Sequence, residues 1–299
     1  MDYSKLVTEN QNPESMRLDE MSTLEVARLM NRVDAEVPLA VEKTLPQVAE
    51  VVDHITVAFR NGGRLIYVGA GTSGRLGVLD AAECLPTFGA GKEMVDARIA
   101  GGDAALCTAV EGAEDREELG EADLIDLSFS EKDVLVAISA SGSAPYCIGA
   151  LKYAKERGAY TAGVCCVDKP AFAGYCSTVI SAVVGPEILT GSTRLRAGTA
   201  TKLILNMLST ISMVRFGKVY GNLMVDMVPT NKKLTDRAVR MIQTATGVPR
   251  EGAEQKLSEC GDVKTSIVSI ETGSGPKEAK EALDHEQGSV RNAIRDLKR

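Results

Sequence analysis

Two glycine- and hydroxyl-rich segments carry the strongest chemical signal in this chain. Residues 64–75, Arg-Leu-Ile-Tyr-Val-Gly-Ala-Gly-Thr-Ser-Gly-Arg, pass from an apolar run into Gly69, Gly71 and Gly74, with Thr72 and Ser73 between them, and a helical stretch over 76–83 follows. Glycines let backbone N–H groups approach an anion closely, and a helix N-terminus adds unpaired donors and partial positive charge. Phosphate is the natural guest. The spacing also satisfies G-x-G-x-x-G, but a dinucleotide site expects an acid some 20 positions on, closing the next strand. Asp96 stands mid-run instead, and two adjacent hydroxyls would crowd a pyrophosphate. A purely structural tight turn is the third reading. The second segment, Ser139-Ala-Ser-Gly-Ser143, follows the apolar run 133–138 and precedes a helical stretch through Lys155. In an open parallel sheet ligands sit beyond the carboxyl ends of the strands, so Gly71, Thr72, Ser73, Ser139, Ser141 and Ser143 can line one pocket. A single phosphate with many hydroxyl contacts then fits better than a dinucleotide, although serine and glycine also favour turns for conformational reasons alone.

Acids stand near both segments. Glu83 ends the stretch behind the first cradle, and Pro86 is expected to stop that helix, which would let the glutamate point back toward the ligand edge. The plain alternative is a solvated surface acid. Glu114 follows a glycine break in Val110-Glu-Gly-Ala-Glu-Asp115, after a helix expected to be capped by Asp103. Two carboxyl groups in different environments can divide acid and base roles. The other dense polar stretch, 185–202, holds Glu187, Ser192, Thr193, Arg194, Arg196 and Lys202 in a turn feeding an apolar helix, and is expected to close on a phosphosugar.

The elements that must position these groups are legible too. Ser22-Thr-Leu-Glu25 reads as a capping box, and the run 37–59 keeps an apolar face as one helix with Pro38 at its start. Strand-like runs at 65–68, 94–99, 134–138, 160–165 and 178–180 alternate with helical stretches, the rhythm of a parallel sheet covered on both faces. Beyond Pro229 the chain reads as short helices broken by glycine and proline. The expected division is N-terminal helices over 1–60, an α/β domain over 61–229 and a small helical C-terminal subdomain over 230–299.

Composition narrows the function classes. The net charge is −7 and 44% of the 299 residues are hydrophobic, with no basic face to suggest nucleic acid as a partner. No signal-peptide core and no membrane-length apolar run stands out, so a cytoplasmic protein without a membrane partner is expected. Seven cysteines without a C-x-x-C pair suit a reducing compartment, and two distant histidines, His54 and His285, match no zinc spacing.

The segments 64–84, 109–115, 185–202, Leu205-Asn-Met-Leu-Ser209 and Gly221-Asn-Leu-Met-Val-Asp226 closely resemble bacterial N-acetylmuramic acid 6-phosphate etherases, and the likeness runs from Thr8-Glu-Asn10 almost to the C-terminus. It implies an α/β fold with a parallel sheet, a flavodoxin-like SIS (sugar isomerase) domain. It implies a homodimer that needs no cofactor, metal or nucleotide. The implied activity is that of a carbon–oxygen lyase acting on a small phosphosugar, with Glu114 taking the C2 proton and Glu83 protonating the departing lactate. Two positions depart from the family pattern. Ser141-Gly-Ser-Ala-Pro-Tyr146 stands where Ser-Gly-Arg-Thr-Pro-Tyr or Ser-Gly-Asn-Thr-Pro-Tyr is usual, and Arg196 replaces a lysine. Competing readings are a sugar-phosphate sensor like the glucokinase regulatory protein, which is longer and has two SIS domains, and an isomerase or transcriptional regulator on the same framework. No helix-turn-helix signal precedes residue 60, which counts against the regulator.

Overall fold

Five short, mainly apolar runs build the sheet; the three inner ones are buried on both faces along most of their length, as parallel strands between helical layers must be, while the two at the edges are only partly covered. In the computed structural model, which describes residues 7–227 and 232–299, the five are β1 (Leu65–Gly69), β2 (Val95–Ile99), β3 (Val134–Ile138), β4 (Tyr160–Cys165) and β5 (Thr178–Ser181). All neighbours are parallel and the order is β2-β1-β3-β4-β5. The order reverses at β1. Its neighbours are β2 on one side and β3 on the other, so the carboxyl ends of β1 and β3 lie side by side, with Gly69 in register with Ile138. The expected boundary at 229/230 lies outside the described residues.

Before the sheet come α1 (Thr23–Asp34), α2 (Val37–Glu42) and α3 (Leu45–Arg60). The capping box is present, with the Ser22 N–H donating to Glu25 Oε2 at 2.8 Å and the Glu25 N–H to Ser22 Oγ at 3.4 Å. The single helix expected over 37–59 is instead broken at 43–44. Pro46 explains the break: it lacks an N–H and its ring clashes with the carbonyl four residues back, so it is accommodated only in the first turn of a new helix.

Crossover helices α4 (Gly71–Phe88), α5 (Ala104–Cys107), α6 (Glu117–Asp126) and α7 (Pro145–Glu156) link the strands, and α8 (Arg196–Phe216) follows the last one. Two departures matter. The glycine- and hydroxyl-rich residues 71–75 are the first turn of α4 rather than a loop before it, and Pro86 lies inside that helix rather than ending it. So near the C-terminus, Pro86 removes only one late backbone bond. A short hairpin of β6 (Val219–Tyr220) and β7 (Leu223–Met224) precedes α9 (Lys232–Thr246), α10 (Arg250–Cys260), α11 (Val263–Thr272), α12 (Pro276–His285) and α13 (Val290–Leu297). Gly261 and Gly273 end α10 and α11 with φ of +83° and +73°, a left-handed turn that suits glycine.

The chain forms two compact units. One takes in the described residues up to Glu83 together with Gly91–Ser209, with an apolar cluster that includes Ile66, Val68, Leu124, Leu135, Leu151 and Phe172. The other takes in Cys84–Ala90 and the described residues from Thr210 onward, around Val239, Ile242, Leu257, Ile267 and Leu283. Among the described residues no helix is long and apolar enough to cross a membrane.

Within the first unit, α6 and α7 approach until backbone nearly touches backbone. A Cβ added to Gly149 would fall 2.0 Å from the Glu117 carbonyl oxygen, and one on Gly120 2.0 Å from that of Tyr146. The same contact fixes the turn before α6, because the Tyr146 N–H donates to the Glu114 carbonyl at 3.0 Å. Gly149→Ala is therefore expected to destabilise the protein by about 1–3 kcal/mol through overpacking. Urea unfolding should show a lower midpoint with an unchanged slope; an unshifted midpoint would contradict the tight contact.

Candidate active site

The three glycines of the first cradle have different duties. A Cβ on Gly74 would lie 2.5 Å from the Gly69 carbonyl oxygen and 2.6 Å from Ile99 Cγ1, and one on Gly69 2.8 Å from the Gly74 nitrogen, so these two let the first turn of α4 pack onto the end of β1. Gly71 has φ of +53° and nothing within 4 Å of its would-be Cβ, so it serves conformation and leaves open space in front of the turn. The first α-helical bond runs from the Gly74 N–H to the Ala70 carbonyl at 3.2 Å. The N–H groups of Gly71, Thr72 and Ser73 are left without an acceptor among the described residues, the arrangement that makes a helix N-terminus an anion site.

Facing it at the end of β3 is the serine turn. Gly142, at φ of +65°, folds it tightly against Pro170, whose Cβ lies 2.2 Å from where a side chain would begin. The hydroxyls form a chain, Ser139 Oγ to Ser141 Oγ at 3.4 Å and Ser141 Oγ to Ser143 Oγ at 2.7 Å. Behind it, burial pushes the Cys147 thiol up to about 12, so that this cysteine is a buried hydrophobe and not a nucleophile. Cys84 is buried too.

These turns wall a cavity of about 390 Å³ that is lined by Gly71, Thr72, Ser73, Ser139, Ser141 and Ser143, together with Glu114 and Thr193. The size suits a phosphorylated monosaccharide. Among the described residues no lysine or arginine lines it; its donors are hydroxyls and backbone N–H groups, and its acids are Glu9, Glu114 and Asp115. Sequence reasoning missed Thr8, Glu9 and Thr201, which also line it. Thr201 stands one turn after Gly198, another lining residue, and that i, i+3 spacing at the start of an apolar helix was a usable signal. Thr8 and Glu9 lie far off in sequence and carry no local sign of the cavity.

Six expected site residues do not line this cavity. Glu83 is exposed on α4, about 18 Å along the helix axis from Gly71 at 1.5 Å per residue, because the helix runs straight through the expected stop at Pro86. It does not turn back toward the cradle of its own chain. Glu187, 1% exposed, accepts the Arg196 and Ala197 N–H groups on its two carboxylate oxygens, each at 2.9 Å, and so caps α8. Burial pushes its carboxyl above the ordinary value, while those two N–H groups pull the other way. Arg196 is itself buried, donating to the Pro186 carbonyl at 3.2 Å and to Glu36 at 2.8 Å. Ser192 lies half-buried in the preceding turn, where its N–H donates to the Leu189 carbonyl at 3.0 Å, while Arg194 and Lys202 are exposed.

The dinucleotide alternative loses its acid. Asp96 accepts the Ala97 N–H at 2.8 Å and pairs with Arg98 at 3.0 Å within β2, and is not free at a strand end. One group of metal-ligating types occurs among the described residues, exposed His285 and Asp296 with half-buried Glu286 in the C-terminal unit, remote in sequence from every cavity residue.

With the geometry in hand, the chain can be set beside known proteins. N-Acetylmuramic acid 6-phosphate etherase from Serratia proteamaculans (strain 568) is 53% identical over 295 residues, covering 98% of this chain and 99% of that protein. The second such etherase of Vibrio cholerae is 53% identical over 98% of this chain and 96% of its own length. This chain belongs to the N-acetylmuramic acid 6-phosphate etherase family. Within this etherase family chain, residues 47–155 also match the glucokinase regulatory protein N-terminal SIS domain, a stretch holding both hydroxyl-rich turns and Glu114. Phosphoheptose isomerase from Francisella tularensis shares the fold, with a TM-score of 0.50 at 18% identity over 64% of this chain and 98% of that one. Of the departures from the etherase pattern, Ser143 extends the serine chain and Ala144 lines the cavity, while the Arg196 guanidinium bridges the Pro186 carbonyl and Glu36.

The Glu187 result generates a test. Glu187→Ala leaves two buried N–H donors unpaired and should cost about 2–6 kcal/mol, at about 1–3 kcal/mol per stranded donor. A fall in Tm with little change in the affinity for a sugar phosphate is expected; a lost affinity at unchanged Tm would return Glu187 to the ligand.

Proposed function

We propose that this protein cleaves the D-lactyl ether of N-acetylmuramic acid 6-phosphate, giving N-acetylglucosamine 6-phosphate and D-lactate. The observation that carries the reading is the hydroxyl- and N–H-lined cavity with Glu114 on its wall, in a chain so close to etherases over its whole length. The open N–H groups of α4, with Thr72, Ser73 and the serine chain, take the 6-phosphate. The open-chain sugar then extends toward Glu114. Its C1 aldehyde acidifies the C2–H bond; Glu114 removes that proton, the C2–C3 double bond forms, and the C3–O bond breaks. Glu83 gives a proton to the lactate oxygen as it leaves. Water then adds, hydroxyl to C3 and hydrogen to C2, with Glu83 accepting the water's proton and Glu114 returning the one it took. Each acid–base contribution of this kind is about 10²–10⁴-fold.

Glu83 cannot reach the cavity of its own chain, so this assignment requires a second copy to deliver it. An exposed Leu79 one turn before Glu83 on the same helix face, with Leu39 and Val57 exposed on the preceding helices, supports a homodimer that buries this surface. The sheet order supports assignment to the flavodoxin-like class. The setting implied is cytoplasmic breakdown of cell-wall amino sugars.

Release of D-lactate from the 6-phosphorylated sugar, but not from the unphosphorylated one, is expected on incubation with the purified protein, and chelator should not change it. Equal turnover of both sugars would remove the phosphate argument. The subunit arrangement has its own test. Glu83→Ala and Glu114→Ala should each be inactive, yet mixing them after dissociation should restore about a quarter of the wild-type sites, since one site of each mixed dimer is intact. No recovery from a mixture shown to form mixed dimers would place both acids in one chain.

A further inference from the structure

A second cavity, of about 300 Å³, adjoins the phosphosugar cavity and shares Ala70, Gly71 and Glu114 with it. Its chemistry is different. Apart from the shared wall it presents small apolar side chains, among them Ala105, Ala109 and Val110, one cation, Arg75, and one acid, Glu111. Arg75 lies half-buried in the first turn of α4, and its Nε donates to the Leu106 carbonyl at 3.0 Å. Its two terminal nitrogens have no acceptor and no ion-pair partner among the described residues. The other well-covered arginines of this unit are paired: Arg64 with Asp133, Arg98 with Asp96 and Arg196 with Glu36. Glu111 and Glu114 line the same cavity as Arg75, yet neither carboxylate comes within ion-pair distance of it.

We infer that this cavity is the leaving-group pocket, in which Arg75 grips the lactyl carboxylate and the alanines and Val110 house the lactyl methyl. The inference rests on the etherase reading and extends it. A lactyl ether offers one methyl and one carboxylate on the carbon bonded to the departing oxygen, matching a cavity that pairs an apolar wall with a free guanidinium. That fork offers two parallel N–H groups to a carboxylate, which makes the contact directional as well as charged. Glu114 stands on the shared wall, where the bond from C3 to the ether oxygen must cross from one cavity to the other. Arg75 is thus a specificity-determining residue. It tells a sugar phosphate bearing a lactyl group from one without it, and lactate and sugar leave from separate chambers.

Reduced substrates test this without turnover. N-Acetylmuramitol 6-phosphate and N-acetylglucosaminitol 6-phosphate have an alcohol at C1, so neither can eliminate, and they differ only by the lactyl group. Calorimetry on the full-length wild type should show about tenfold or greater preference for the muramitol, as expected of one charge-assisted contact. Arg75→Met should abolish the preference while changing the glucosaminitol Kd less than about twofold, and Arg75→Lys should keep part of it. Ala109→Leu, which fills the apolar wall at an exposed position, should weaken only the muramitol. A preference that survives in Arg75→Met, equal weakening of both ligands, or no preference in the wild type would each overturn the inference. Absence of lactate release from N-acetylmuramic acid 6-phosphate by the wild type would overturn the etherase reading separately, whichever way the reduced ligands bind.

Discussion

The site depends on the packing of the first turn of α4 onto the end of β1. Gly69 and Gly74 meet there at distances that exclude any side chain, and Gly71 between them takes a positive φ. That geometry lets the chain pass from strand to helix through Ala70 alone, so the helix begins at the sheet edge with its first N–H groups pointing into open space. The topology supplies the rest. Because the strand order reverses at β1, the serine turn after β3 stands next to this helix end, and the close α6–α7 contact holds Glu114 beside both through the bond from Tyr146.

The cavity wall carries hydroxyls and backbone N–H groups and, among the described residues, no lysine or arginine, in a chain of net charge −7. Neutral donors fixed on a helix end and a tight turn cost little reorganisation when the ligand arrives, and they leave nearby carboxylates unpaired and available as bases. A cation among them would have formed an ion pair with Glu114 or Asp115. Arg75, set one cavity away, avoids that pairing.

Much of this was legible in the sequence because buried parallel strands read as plain apolar runs between glycine-rich turns, and five such runs became five strands. The hydroxyl-rich segments were legible for the same reason: each directly follows a buried strand, and both reached the cavity. What failed turned on interactions across the fold. Pro86 promised a helix end, but a proline late in a long helix costs only one bond, so Glu83 was carried away from the cradle. Glu187 and Arg196 stood amid polar residues and suggested a ligand, while their partners are the N-terminus of α8 and Glu36, the latter 160 positions away. Pro46, conversely, split a helix that amphipathic periodicity read as continuous.

The Glu187 cap has a consequence for how a guest is seated. Three helices, α4, α7 and α8, begin at the cavity: the Glu187 carboxyl group covers the amino end of α8, the Glu114 carbonyl takes the Tyr146 N–H of α7, and α4 presents three N–H groups without an acceptor among the described residues. The chamber is therefore electrically lopsided, attractive to a dianion at one end and indifferent at the other. On the proposed reading, a sugar phosphate, charged at a single terminus, would enter one way round, with C2 and C3 at a set distance from the anchored end.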